Sequence, residues 1–128
     1  MKLYRSPIWL LLLLILAACG SNAEEGVIVT FLVAGQEEYR IQLTDPDDIE
    51  TARKLLAGEE APKIPNGLII QYDPGVNEGY SWYFDPKVFE FADFTTEVCD
   101  GLPSDVERGI LTYDYYCPWA AEVIAIDG

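Results

Sequence analysis

The chain has 128 residues, half of them apolar, with 22 acidic side chains, eight basic ones and no histidine. A net charge of −14 argues against nucleic acid, whose phosphates need clustered Lys and Arg, and against adhesion to anionic lipid headgroups. Without histidine, Ser-His-Asp and Cys-His catalysis are excluded.

Lys2 and Arg5 precede an apolar run, Ile8 to Leu16, of secretory-signal length and too short for a comfortable membrane span. Leu16-Ala17-Ala18-Cys19 follows. This order resembles the lipobox of bacterial lipoproteins, which implies a signal peptide over 1–18, cleavage before Cys19, a diacylglyceryl group on its thiol and acylation of its amine, for example by palmitate. Each buried methylene contributes about 0.8 kcal/mol, so several chains anchor stably where one is marginal. Cleavage removes two bases and no acids, leaving a charge of −16. The expected location is the bacterial cell envelope, extracytoplasmic, on the outer membrane where the cell has one. Residues 20–26, "GSNAEEG", read as a tether, and 27–128 as a single domain.

Residues 27–33, "VIVTFLV", are β-branched and apolar, a buried strand. Residues 38–44 alternate Tyr39, Ile41 and Leu43 against Glu38, Arg40 and Gln42, a half-buried strand joined to the first as a hairpin. "TDPDDIETARKLLAG" predicts a helix. Thr44 or Asp45 can cap it, Pro46 suits its first turn, and Gly58 stops it. Ile49, Ala52, Leu55 and Leu56 form its apolar face. Its acids lack the glycine and spacing of a calcium loop. "EEAPKIPNG", with two prolines, reads as a loop, 68–72 as a third strand and 73–79 as a turn segment. "YSWYF", 80–84, reads as a strand with Tyr80, Trp82 and Phe84 on one face, ended by Pro86. Residues 94–99 read as another strand, 102–109 as a short helical turn, 110–119 as a loop or irregular strand, and 121–126 as the last strand. The sum is an α+β fold: a mostly antiparallel sheet of about six strands with one long helix packed on a face.

Disulfides persist outside the cytoplasm. With Cys19 lipidated, Cys99 and Cys117 have a single intramolecular pairing. Acids crowd Cys99, the opposite of what a reactive thiol needs, and a zinc site would need more thiolates or imidazoles than exist. One disulfide is therefore expected, and no metal or cofactor.

A carboxylate pair is the acid–base arrangement left. Asp85, Glu97, Asp100 and Asp105 lie near the aromatic segments, but such acids serve equally to hold loops by accepting backbone hydrogen bonds. A binding module is favoured over an enzyme, with a carboxylate-based hydrolase as the lesser alternative. The aromatics of "GYSWYF" and "YDYYCPW" suit protein or sugar contacts. The candidate binding residues are Asn77, Gly79, Tyr80, Trp82, Tyr115 and Trp119, with Trp82 also a core candidate.

Thr44-Asp45-Pro46, Ile49, Ala52-Arg53, Leu55-Leu56 and Gly58 form one set of motif positions. Asn77, Ser81-Trp82, Asp85-Pro86, Glu97-Val98-Cys99-Asp100 and Cys117-Pro118-Trp119 continue it. Over about 27–126 this resembles the N-terminal domain family of the calmodulin-binding protein BP-seventy-four, which includes small secreted bacterial proteins. Tyr83 stands where the family pattern has histidine. Calmodulin binding belongs to the namesake, and a bacterial envelope holds no calmodulin. Asn77, Gly79, Tyr80 and Trp82, with Pro118-Trp119, also resemble the inhibitory loops of chagasin-type cysteine protease inhibitors, but one residue rather than three separates Asn77 from Gly79. The expected function is an envelope lipoprotein whose small domain binds an unidentified ligand or envelope protein through loop 73–80 and the aromatics around Cys117. The alternative is protease inhibition by the same loop.

Overall fold

Alternation of apolar and polar residues builds the first hairpin of the computed structural model, which describes residues 26–128; the signal segment, Cys19 and most of the tether lie outside the described residues. β1 (Val27–Val33) and β2 (Glu37–Leu43) pair antiparallel with Phe31 opposite Tyr39. Val29, Phe31, Tyr39 and Ile41 point inward and are almost fully buried. α1 (Pro46–Leu56) follows, with Asp45 rather than Thr44 as its cap: Asp45 Oδ1 accepts the Asp47 N–H at 2.8 Å. At eleven residues it is shorter than expected. Ala52 is its fully buried anchor, and Ile49 and Leu55 pack beside it on the core.

β3 (Ile64–Gln71) and β4 (Trp82–Ala92) form a second hairpin. A 3-10 turn (Glu97–Cys99) and α2 (Pro103–Glu107) lead to the short β5 (Tyr115–Tyr116) and to β6 (Ala121–Asp127). Six strands form as expected, but in two three-stranded antiparallel sheets rather than one, with orders β2-β1-β6 and β4-β3-β5.

Three local expectations are corrected. β3 begins inside the proline-containing segment read as a loop, with Pro65 opposite Phe91. β5 reaches only Gly67 and Leu68 on the other side of β3, so Pro65 has no ladder bond to donate there. Pro86 does not end β4. The ladder passes from Ile69↔Phe84 to Gly67↔Phe89, leaving Pro86 in an irregularity where a missing N–H costs nothing. Residues 94–99 are a loop and 3-10 turn rather than a strand, because Thr96 caps the turn through its side-chain oxygen and Cys99 is bonded to Cys117.

The two sheets share one aromatic core. The Tyr39 ring lies 5.2 Å from Phe31, 5.8 Å from Trp82, 5.7 Å from Phe84 and 5.5 Å from Tyr116. Such pairs add about 0.5–1.5 kcal/mol each beyond burial of their area. Burial holds the Tyr39 phenol well above its ordinary pKa, so it stays neutral. Gly67 gives Phe84 its place: a Cβ there would stand 2.6–2.9 Å from the ring.

Side-chain bridges lock the periphery. The Glu37 carboxylate of β2 accepts from both the N–H and the hydroxyl of Ser104 in α2, each at 2.8 Å. The Glu107 carboxylate of α2 takes the N–H and hydroxyl of Ser81, just before β4, at 2.7 Å each. α2 is thereby tied to both sheets.

Candidate functional site

The outer face of the second sheet is set by the period of its strands. Trp82, Phe84 and Tyr116 face the core, so Tyr83, Asn66, Leu68 and Tyr115 face away from it. Asn66 lies opposite Glu90, and Leu68 opposite Tyr115. The ladder therefore gathers an amide, a carboxylate and a phenol from three strands. Tyr113, two residues before Tyr115, adds a ring 6.1 Å away, tilted by 45°. Phe94, just past β4, is 90% exposed.

These residues line an open two-lobed cleft. One lobe, about 310 Å³, is bounded by Asn66, Lys87, Val88, Glu90 and Tyr115. The other, about 370 Å³, is bounded by Asn66, Glu90, Phe94, Thr95, Tyr113 and Tyr115, with Cys99 in its wall. Asn66, Glu90 and Tyr115 belong to both. The Asn66 Oδ1 is buried and makes no hydrogen bond. The Thr95 hydroxyl is fixed by the Trp119 indole N–H, which donates to it at 2.7 Å, and the Trp119 backbone N–H donates to Asp100 Oδ1 at 2.8 Å.

The expected binding residues fall into separate places. Tyr115 is in the cleft, and Trp119, 40% exposed, touches its rim through Thr95. Asn77 and Trp82 are instead interior residues, with 0% and 2% of their surfaces exposed. The Asn77 Oδ1 accepts the Arg40 N–H at 2.9 Å and its Nδ2 donates to the Trp82 carbonyl at 3.0 Å, so its side chain points into the protein. Gly79 is exposed. Tyr80 is half-buried with its ring 5.5 Å from Trp82, and burial and the nearby Glu37, Glu107 and Glu38 raise its phenol pKa. Loop 73–79 is further pinned by Gly75. A Cβ there would stand 2.7 Å from the ring of Tyr83, and its φ is +52°.

Sequence reasoning missed Asn66, Glu90, Phe94, Thr95 and Tyr113. The "YDYY" alternation was a usable signal for Tyr113, since it places Tyr113 and Tyr115 on one side. Three of the four acids considered for catalysis hold backbone: Asp85 accepts the Lys87 N–H, Asp100 that of Trp119, and Asp105 that of Leu102. The cysteines are bonded, Cys99 to Cys117, and the Cys117 N–H donates to the Cys99 carbonyl at 2.7 Å. Among the described residues no group of three or more acids or cysteines is arranged to hold a metal, and no helix is long and apolar enough to cross a membrane.

Glu90 also acts on α1. With burial as the larger cause, Asp45, Asp47 and Glu90 push the Asp48 carboxyl up to about 6 from 3.8. A raised folded-state pKa stabilises the protein fully below the unfolded value, and that contribution is lost as pH rises through about 6. Asp48→Asn is therefore expected to raise the melting temperature at neutral pH and to flatten its dependence between about pH 4 and 6. Thermal scans of both proteins across that range check it, and parallel curves would refute it.

The fold and cleft together define a small two-sheet domain closed by one disulfide, with an aromatic-rimmed recess on one outer face. A family model for the BP-seventy-four N-terminal domain matches residues 25–127, and the chain belongs to that family. No curated protein matches the chain, and no solved structure matches it.

Proposed function

We propose that this protein is a bacterial envelope lipoprotein, anchored through Cys19, whose extracytoplasmic domain works by binding, with the cleft around Tyr113, Tyr115 and Phe94 as its contact surface. The observation that carries this reading is Phe94. A phenylalanine 90% exposed beside two tyrosines and an unpaired buried amide oxygen has no role in holding the fold. Clustered exposed aromatics are the surface feature that marks binding sites. The cleft replaces loop 73–80 as the favoured surface, because Asn77 of that segment faces inward, as does Trp82 at the start of β4. The same inward turn leaves the inhibitor reading with little exposed machinery. The lipobox-like Leu16-Ala17-Ala18-Cys19 supports the anchor.

A photo-crosslinking experiment on intact envelopes tests both parts. Phe94→p-benzoylphenylalanine should give a discrete adduct that is lost when Tyr115→Ala is added. The same probe at Tyr72, 92% exposed and absent from the residues lining the cleft, should give none. Equal labelling at both positions, or none at 94, would overturn the binding surface. In the same cells, Cys19→Ala should stay uncleaved and take up no labelled palmitate; a labelled, processed variant would overturn the anchor.

A further inference from the structure

The chemistry of the cleft restricts what fits it. Its polar groups are mostly uncharged and can both donate and accept: Asn66, Thr95, Tyr113 and Tyr115, with Lys87 as a donor and Glu90 as an acceptor. Glu90 is a carboxylate with no basic side chain within ion-pair distance among the described residues. An exposed carboxylate without a cation gains from hydroxyl donors brought against it. The ligand must therefore bring donors. It is not anionic: Lys87 is the single basic side chain in the lining, Glu90 stands between the lobes, and the chain carries −14 overall. A phosphate or carboxylate ligand would meet repulsion from Glu90 and from the net charge of the chain.

The walls add a second restriction. Tyr113, Tyr115 and Phe94 present rings on the larger lobe. Aromatic faces accept the C–H side of a ring whose hydroxyls point sideways to acceptors. A peptide could also supply donors, but an extended peptide gains its affinity by pairing with a strand edge. Here the side chains of the cleft stand on a sheet face, on three neighbouring strands, rather than along one strand edge. Each lobe lies at the small end of the ligand-cleft range of about 300–1,000 Å³. They share Asn66, Glu90 and Tyr115, so the recess suits a ligand of at least two small linked units.

We propose that this cleft binds a neutral saccharide of two or more sugar rings, with Phe94, Tyr113 and Tyr115 as stacking surfaces and Glu90 as an acceptor for its hydroxyls. This rests on the binding-module reading above and specifies its ligand.

The test is a titration of the purified full-length protein, labelled with nitrogen-15, followed by amide NMR. The probes are maltotriose, the trimer of N-acetylglucosamine and, as an anionic comparison, trigalacturonate. At least one neutral trimer should give saturable shifts in the Asn66 side-chain amide and in residues 113–115, and trigalacturonate should give none. Phe94→Ala, at a position too exposed to disturb folding, should weaken binding by about tenfold or more, and so should Glu90→Ala. Tyr72→Ala should change nothing. Silence with both neutral trimers up to about 10 mM, shifts that map elsewhere, stronger binding of trigalacturonate, or indifference to Phe94→Ala would each overturn the proposal. A crosslinked adduct at position 94 alongside such silence would remove the saccharide and keep the module. Loss of both would remove the module as well.

Discussion

Asn77→Ala is expected to destabilise the domain by about 3 kcal/mol, through the loss of two hydrogen bonds that no other group can replace. The Asn77 side chain is fully buried, and it joins the Arg40 N–H of β2 to the Trp82 carbonyl at the start of β4. Truncation removes both partners at once. Each bond contributes about 1 kcal/mol net, and a partner left unsatisfied adds about 1–3 kcal/mol. For a domain of about this size that is a fall in Tm of roughly 12–24 °C, readable by thermal or urea denaturation followed by circular dichroism. Asn77→Asp separates the two bonds. It keeps an acceptor for Arg40 but sets a carboxylate against the Trp82 carbonyl, so at neutral pH it should be at least as damaging. Part of the loss should be regained in acid, when the carboxyl can donate. A change within about 0.5 kcal/mol for Asn77→Ala, the range of an ordinary surface substitution, would refute the bridging role.

Breaking the Cys99–Cys117 disulfide should cost a similar amount for a different reason. The cysteines are 18 residues apart in sequence, and closing a loop of that length removes about 3 kcal/mol of freedom from the unfolded chain. In urea this corresponds to a midpoint lowered by about 2 M, with a steeper slope because the unfolded chain expands once the cross-link is gone. The double variant Cys99→Ala, Cys117→Ala measures it free of reductant. The effect should reach the cleft, because Cys99 forms part of its wall and the cross-link closes the segment that carries Tyr113 and Tyr115. Amide exchange over residues 110–116 should therefore accelerate more than exchange in β1, which packs at the centre of the other sheet. Uniform acceleration would show that the bond acts on global stability alone.

Local chemistry made several elements legible from sequence. The Asp45-Pro46 start of α1, the alternation in β2 and the inward set Trp82 and Phe84 each depend on neighbours a few residues away. What escaped depends on distant pairing. Pro65 and Pro86 read as breaks because proline lacks a donor. Whether that donor is needed depends on β5, which reaches only Gly67 and Leu68, and on the irregular pairing of β3 with β4. Division into two sheets likewise rests on Gly67 meeting Tyr116, a register that hydrophobic periodicity does not encode. The site follows the same rule. Tyr115 was visible as one of a cluster of aromatics, whereas Asn66 and Glu90 become partners only when β3 and β4 align. Asn77 misled because the composition of its segment announces a turn without saying which way a side chain faces.

The Asn77 bridge has a consequence for how copies of this protein behave when crowded together. β2 lies at the margin of its sheet, and Arg40 is the middle residue of that strand. A margin with free N–H groups is a template on which another chain can polymerise. The amide oxygen of Asn77 occupies the N–H at the centre of that template, in the manner of a one-residue surrogate strand. The side chain that joins the sheets thus also guards against fibre growth, and its loss would be felt in solubility as well as in stability.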